Sequence, residues 1–445
     1  MSRPDPLMPA YDFSSAPETV VLMRGQAEIG LDNEKFAGTA DLLLRFQPRQ
    51  RLIFNAKSQA STRAAFHFLF PDQFRTSLSF NGHEIEGFYG PFKSNSGSGI
   101  IELDWHPKSE PVMLSDMQSK TSVSAILHLF NFPEFRGGQH QAAAPSGCQI
   151  LVLESDEWRI SIQSLPNHAT YQAWERIRNE DGCFLTHVAK VERKDRALFS
   201  GDDAREVSFL LSNFLSFIKG SRYWTVCEVG FDQTGNRTWE TFASPHIGKP
   251  PYSWFNPHQG SQAEILFPLF ATRWQQSEEW MKCLRSAIYW YLQANTSGGS
   301  LGIDSAIILA QAAFERLAYQ HLVVDKKMIS PEGLNRLKAS DQLRLLFSSL
   351  DIPVSIGDAT PSIKGSASQL KWEDAPHALT EIRNELVHPV SKKRIRACIF
   401  DAWKLSLWYL ELSVLALCGY DDTYTNRLTA KYVGESEKVP WSKST

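Results

Sequence analysis

From Val20 to about Lys194, apolar residues come in short runs alternating with polar ones and punctuated by Gly, Asn, Asp and Pro. The runs Val20–Ile29, Thr39–Phe46, Arg51–Asn55, Ala65–Phe70, Thr76–Phe80, Glu84–Tyr89, Gly99–Leu103 and Thr121–Leu129 predict strands. Their spacing of roughly ten residues fits a sandwich or a strongly curved sheet. Cys148–Leu153 and Trp158–Gln163 predict a hairpin turning at Ser155 and Asp156, followed by a short helix over Tyr171–Arg178 and a strand over Phe184–Val191. The period then changes: Val207, Leu210, Leu211, Phe214, Leu215 and Ile218 share one helical face, with Asp202 or Asp203 as N-cap and Gly220 as terminator. Strand alternation returns over Trp224–Phe231 and Thr238–Ala243.

The stretch Ser244–Gly260 holds Pro245, Pro250, Pro251 and Pro257 and marks a boundary. Beyond it the pattern is helical, over Glu278–Gln293, Asp304–Val324, Pro331–Leu350, Glu373–Val387 and Lys392–Leu417, the last stopped by Gly419; Ile352–Leu370 predicts a loop. The expected architecture is α+β: a tail over 1–19, a β-rich sensor or regulatory domain over 20–260, a helical domain over 271–432 and a tail over 433–445.

Composition narrows the function classes. Hydrophobic residues at 42% against 21% charged supply real cores and exclude wholesale disorder. A net charge of −3 excludes a global field that would draw the chain to nucleic acid or acidic membranes, so any such contact needs a local patch. The six cysteines form no CxxC, which predicts neither a disulfide framework nor a zinc site and suits the cytoplasm. No signal peptide is expected, and Leu405–Cys418, interrupted by Glu411, falls short of the ~20 residues of a membrane span.

GxGxxG, GxxxxGK[ST] and HExxH are missing, and no two histidines stand at i, i+4 on a predicted helix, so neither cofactor nor metal is expected. Gly298-Gly299-Ser300-Leu301-Gly302 matches GxSxG by letters, but it follows a helix where a nucleophile elbow follows a strand, and it reads as a loop. The segment Glu381-Ile-Arg-Asn-Glu-Leu-Val-His-Pro389 is different. Pro389 pushes His388 out of the α region, so the helix ends there with the imidazole at its C-terminus. The partial negative charge of that end favours the imidazolium and keeps both protonation states accessible near neutral pH. Asn384 shares a face with His388 and Arg383 flanks it. A proton-moving His beside an Arg fork and an amide suits phosphodiester cleavage, where charge builds on the phosphate. Lys392, Lys393, Arg394 and Arg396 follow at once. Cations at a helix N-terminus oppose its dipole, which suggests that they are there for backbone phosphates.

Arg-Asn-x-x-x-His on the penultimate helix of a C-terminal bundle resembles the HEPN ribonuclease motif, and the β-rich region before it resembles the layout of ApeA-like HEPN proteins of bacterial anti-phage defence. The resemblance covers about residues 271 to 432 and, more loosely, the N-terminal part. It implies a metal-independent endoribonuclease that uses the substrate's 2′-hydroxyl as nucleophile and leaves a 2′,3′-cyclic phosphate. His388 would be the general base or acid, Arg383 the transition-state clamp and Asn384 the positioning group. It further implies a homodimer through the helical domain, RNA (tRNA among the candidates) as substrate, a phage-derived trigger at the N-terminal domain, and abortive infection as the outcome.

Arg-x4-His also occurs at Arg316 and His321. There Ile307, Ala310, Phe314, Leu317 and His321 form one stripe, so His321 reads as core-facing. Glu315 on that helix is a candidate to orient Arg383, with a solvent-facing position as its other reading. The apolar run around Trp403, Leu407, Trp408, Leu410 and Leu415 exceeds what one face of a bundle helix buries, which suggests packing on a second subunit. The rival class is a non-catalytic protein whose bundle dimerises and whose β-rich half binds a protein, peptide or sugar.

Overall fold

A computed structural model describes residues 5–13, 19–59, 75–95, 100–166, 182–246, 252–296, 302–388 and 395–442, together with 175, 177 and 179. The fold is α+β, with a β-rich N-terminal region followed by helices. The first sheet comprises β1 (Thr19–Leu31), β2 (Glu34–Arg45), β3 (Arg51–Gln59), β4 (Thr76–Phe80), β5 (His83–Glu84), β6 (Gly87–Asn95) and β7 (Ile100–Pro107), in the spatial order β5-β4-β1-β2-β3-β7-β6. The second comprises β8 (Val112–Met113), β9 (Ser124–Phe130), β10 (Ile150–Glu154), β11 (Trp158–Ser164), β12 (Leu185–Arg193), β13 (Val226–Phe231) and β14 (Arg237–Phe242), ordered β10-β11-β12-β9-β13-β14-β8. The predicted strand Ala65–Phe70, most of the predicted helix Tyr171–Arg178 and all but the last residue of the GxSxG-like stretch lie outside the described residues.

The second sheet is buried on both faces at β9, β13 and β14, whereas the face of β10 and β11 turned away from the helices carries the solvent-facing Glu154–Arg159 pair. Val188, Val226, Val229 and Phe242 pack with Leu42, Phe54 and Trp105 of the first sheet, in keeping with the sandwich or strongly curved sheet that the strand spacing implied. Leu127, Leu129, Leu153, Ile160 and Val191 point the other way, into a core shared with the helices. Helix α1 (Gly201–Lys219) begins that layer. Its N-cap is Ser200, two residues before the expected Asp202, because Ser200 and Asp203 close a reciprocal capping box, and Gly220 ends it at φ 69°.

The helices that follow are α2 (Ser261–Gln275), α3 (Glu278–Thr296), α4 (Ile303–Ala318), α5 (Pro331–Arg336), α6 (Ala339–Ser349), α7 (Pro361–Leu370), α8 (Ala375–Val387) and α9 (Ile399–Cys418). They begin at Ser261, ahead of the expected 271. The segment read as a loop from Ile352 to Leu370 contains α7, whose first N–H groups are capped by a carboxylate from α9: Ser362 N donates to Asp401 Oδ2 at 2.7 Å. The predicted helix Pro331–Leu350 is two helices, because Leu337 and Lys338 are extended.

Helix α9 runs through the middle of the helical layer, packing against α2, α3, α4, α7 and α8. Leu407, Trp408, Leu410 and Leu415 are buried within the chain and Trp403 is half-buried, so most of the apolar surface that suggested a second subunit is covered internally. Glu411 lies in this core as one half of a buried ion pair. Arg427 Nε donates to Glu411 Oε2 at 2.8 Å, and a second guanidinium nitrogen bonds Oε1. Tyr291 Oη donates to Oε1 at 2.6 Å, and Arg427 also bonds Asn295 Oδ1 at 3.1 Å and the Tyr252 carbonyl at 3.0 Å. Asn295 Nδ2 in turn donates to the Gly220 carbonyl at 2.8 Å, tying the end of α1 to the helices.

Some described residues of the two expected tails pack on the rest of the chain. Tyr11 and Phe13 are buried, Tyr11 Oη donates to Glu240 Oε1 at 2.7 Å, and Ala10 N donates to His128 Nε2 at 2.9 Å. Near the other end, β15 (Thr423–Tyr424) pairs with β16 (Glu437–Lys438), and Val439 is buried. Among the described residues no helix is long and apolar enough to cross a membrane.

Candidate active site

Asp374 starts α8 by accepting from His377 N at 2.9 Å, and its other oxygen holds Arg344 Nε at 2.5 Å. Ala375, Ala378, Leu379 and Ile382 recur on one face and are buried, which fixes the rotation of the helix against α4, α6 and α9. Arg383 and Asn384 fall beside that stripe and are half-buried, and Arg383 Nη1 donates to Asn384 Oδ1 at 3.1 Å. The adjacent Nε of Arg383 is buried and has no hydrogen-bond partner among the described residues.

The helix ends where Pro389 requires. His388 sits at the C-cap with φ −127° and ψ 78°, its N–H donating to the Asn384 carbonyl at 2.7 Å, and its side chain is exposed. Backbone bonding therefore places His388 one turn beyond the Arg383–Asn384 pair. Lys392, Lys393 and Arg394 lie outside the described residues. Arg396 is exposed on a 3₁₀ turn, Arg396–Cys398, that leads into α9. Val387 and Phe400, at the end of α8 and the start of α9, are exposed apolar side chains at 38% and 54%.

Glu315 is exposed on α4 and accepts from Gln311 Nε2 of its own helix at 3.1 Å. The structure gives no bond from it to Arg383. Arg316 is exposed and His321 buried, as the stripe predicts. After α4 the backbone widens into a π-helical turn, Tyr319–Asp325, that carries His321. Among the described residues both ring nitrogens of His321 lack hydrogen-bond partners, and burial pushes its pKa down to about 4, so the ring is neutral and unsuited to proton transfer near pH 7. Among the described residues no group of three or more His, Cys, Asp or Glu side chains is placed to hold a metal ion.

Residues 117–253 match the family described as the YopA central domain, and residues 277–438 match the YopA C-terminal domain. The chain resembles YopA. The SPbeta prophage-derived uncharacterized protein YopA of Bacillus subtilis (strain 168) is 27% identical over 448 residues, covering 97% of this chain and 96% of the relative. No solved structure matches. The YopA central match takes in most of the second sheet together with α1, and the YopA C-terminal match runs from α3 to β16, so the hairpin at the chain's end falls inside it. The first sheet lies outside both matches.

Two features were hidden from the sequence. The Glu411–Arg427 pair left only an isolated Glu in an apolar run. A groove between α1 and α3 draws its residues from positions 110 to 293 and has no local signature.

Proposed function

We propose that the chain is a metal-independent endoribonuclease of the HEPN type, acting in the conflict between bacteria and phages under control of its β-rich half. The observation that carries this reading is the end of α8, where the bonded Arg383–Asn384 pair lies one turn before an exposed His388. His388 takes the proton from a ribose 2′-hydroxyl or delivers one to the leaving oxygen. Arg383, its Nη1 bonded to Asn384, meets the phosphate as its charge grows. Asn384 holds the Arg383 fork. Exposed Val387 and Phe400 beside the site supply apolar surface through which a second copy brings a second Arg383 and His388. The relative's description as prophage-derived fits a role in phage conflict.

The test is a gel assay of RNA cleavage by the purified protein and by its His388→Ala variant. Loss of cleavage in the variant supports the assignment, and equal cleavage by the two overturns it. A non-catalytic protein, whose β-rich half binds a protein, peptide or sugar, is favoured by one observation: no residue of α8 lines the groove between α1 and α3.

A further inference from the structure

Between α1 and α3, over the ends of β13 and β14, lies a groove of about 870 Å³. Ligand pockets commonly fall between about 300 and 1,000 Å³. Arg205 from α1, Arg222 from the segment entering β13 and Arg285 from α3 all line it, and all are exposed. Arg205 pairs with Asp202 at 3.4 Å, whereas Arg222 and Arg285 have no carboxylate partner among the described residues. Each of those two instead lies by a ring: the Arg222 guanidinium is 4.9 Å from the Trp224 centroid and that of Arg285 is 5.8 Å from Phe209. Trp224 is itself stacked on His246 at 5.1 Å. Guanidinium groups held at rings keep their N–H forks available for an anion.

The groove also keeps large rings in water. Phe209 is 43% and Tyr289 49% exposed, although the helices that carry them have ample buried positions for such side chains. Its inner wall is polar. The buried Glu228 carboxylate accepts from Thr225 Oγ1 at 2.7 Å and from Ser208 Oγ, and the two hydroxyls are 2.9 Å apart. Inorganic phosphate alone would leave the exposed rings unused, and an apolar ligand would strand the arginines. A flat heterocycle joined to an anionic group satisfies both.

We propose that the groove between α1 and α3 binds a nucleoside phosphate, with Arg222 and Arg285 on the phosphates and Tyr289 and Phe209 against the base. The site is independent of the reading of α8, none of whose residues line it. Its occupant touches both α1, which covers the second sheet, and α3 of the helical layer, so binding couples the two.

The test is titration calorimetry on the full-length protein with ADP, GDP, CDP and UDP as probes, and with adenosine and inorganic pyrophosphate as fragments. At least one diphosphate is expected to bind with Kd of about 1–100 μM, with both fragments at least about tenfold weaker. Arg222→Gln and Arg285→Gln should each weaken that nucleotide about tenfold with the thermal midpoint unchanged, since both side chains are exposed. Tyr289→Ala should weaken the nucleotide but not pyrophosphate. The proposal is overturned if no diphosphate binds at about 1 mM, if both arginine variants bind as the parent does, or if a single-stranded oligonucleotide alone occupies the groove.

Discussion

Replacing Arg427 by Met would remove the cation from a carboxylate that has no access to water. Glu411 is 0% exposed and the Arg427 side chain 5% exposed, so neither group is screened by solvent. The substitution deletes two bonds to Glu411 and one each to Asn295, the Tyr252 carbonyl and Tyr291 Oη, leaving Tyr291 Oη as the donor to Glu411. Breaking a buried pair from one side costs about 3–5 kcal/mol, because the remaining charge stays desolvated without its counterion. Replacing both partners, Arg427→Met with Glu411→Leu, removes that charge as well, and apolar substitutes for a buried pair are often neutral. The double variant is therefore expected to recover most of the loss. Urea unfolding followed by tryptophan fluorescence measures both, since Trp254 and Trp280 are buried in the same core. Hydrogen exchange adds a second readout: amides near Gly220 and Tyr252 should lose protection in the single variant first. A single variant within about 0.5 kcal/mol of the parent, or a double variant less stable than the single one, would refute the reasoning.

His388→Ala and Arg383→Ala should each lower RNA cleavage by about 10²- to 10⁴-fold, and the His388 change should leave the thermal midpoint unmoved because its side chain is exposed. Cleavage should persist in EDTA and fail on substrates with a 2′-deoxy sugar at the cut; abolition by EDTA would point to a metal nuclease. Acid should destabilise the fold through three buried imidazoles: burial lowers His128 and His321 from the ordinary 6.5 to about 4, and His187 to about 3. The unfolded chain then takes up protons first, so stability is complete above about pH 6.5 and is lost as pH falls toward 4 and below, and a urea midpoint flat from pH 7 to about 4 would contradict this.

Local pattern carried much of the architecture. Alternation located the strands, the stripe from Val207 to Ile218 located α1, and Gly220 and Gly419 end their helices at φ 69° and 78° as read. Pro389 placed the end of α8 and so the position of His388. What was missed depends on contacts distant in sequence. The chain around Gly365 is helical because Asp401, brought by α9, caps it. Ala10 and Tyr11 are held by His128 and Glu240, which no nearby residue announces. Apolar surplus on α9 reads alike whether it faces a neighbouring helix or a second subunit, and only the central position of α9 decides between them. The groove is assembled from segments each unremarkable alone.

At β9 the second sheet has no wet side. Along β9, Ala125, Leu127 and Leu129 belong to the helical core, while the interleaved Ile126, His128 and Phe130 face the first sheet. A slip of one residue would exchange the two sets at once, pressing the His128 imidazole into the helices and Leu127 against the N-terminal segment. Such a wall cannot be loosened for one neighbour alone, nor can the chain be divided at 247–260 into two parts that each keep a closed surface. Cutting there would bare the apolar flank of α2 and α3 on one fragment and the outward leucines of the sheet on the other. Whatever passes between the β-rich half and α8 must then travel as a tilt or shift of whole layers.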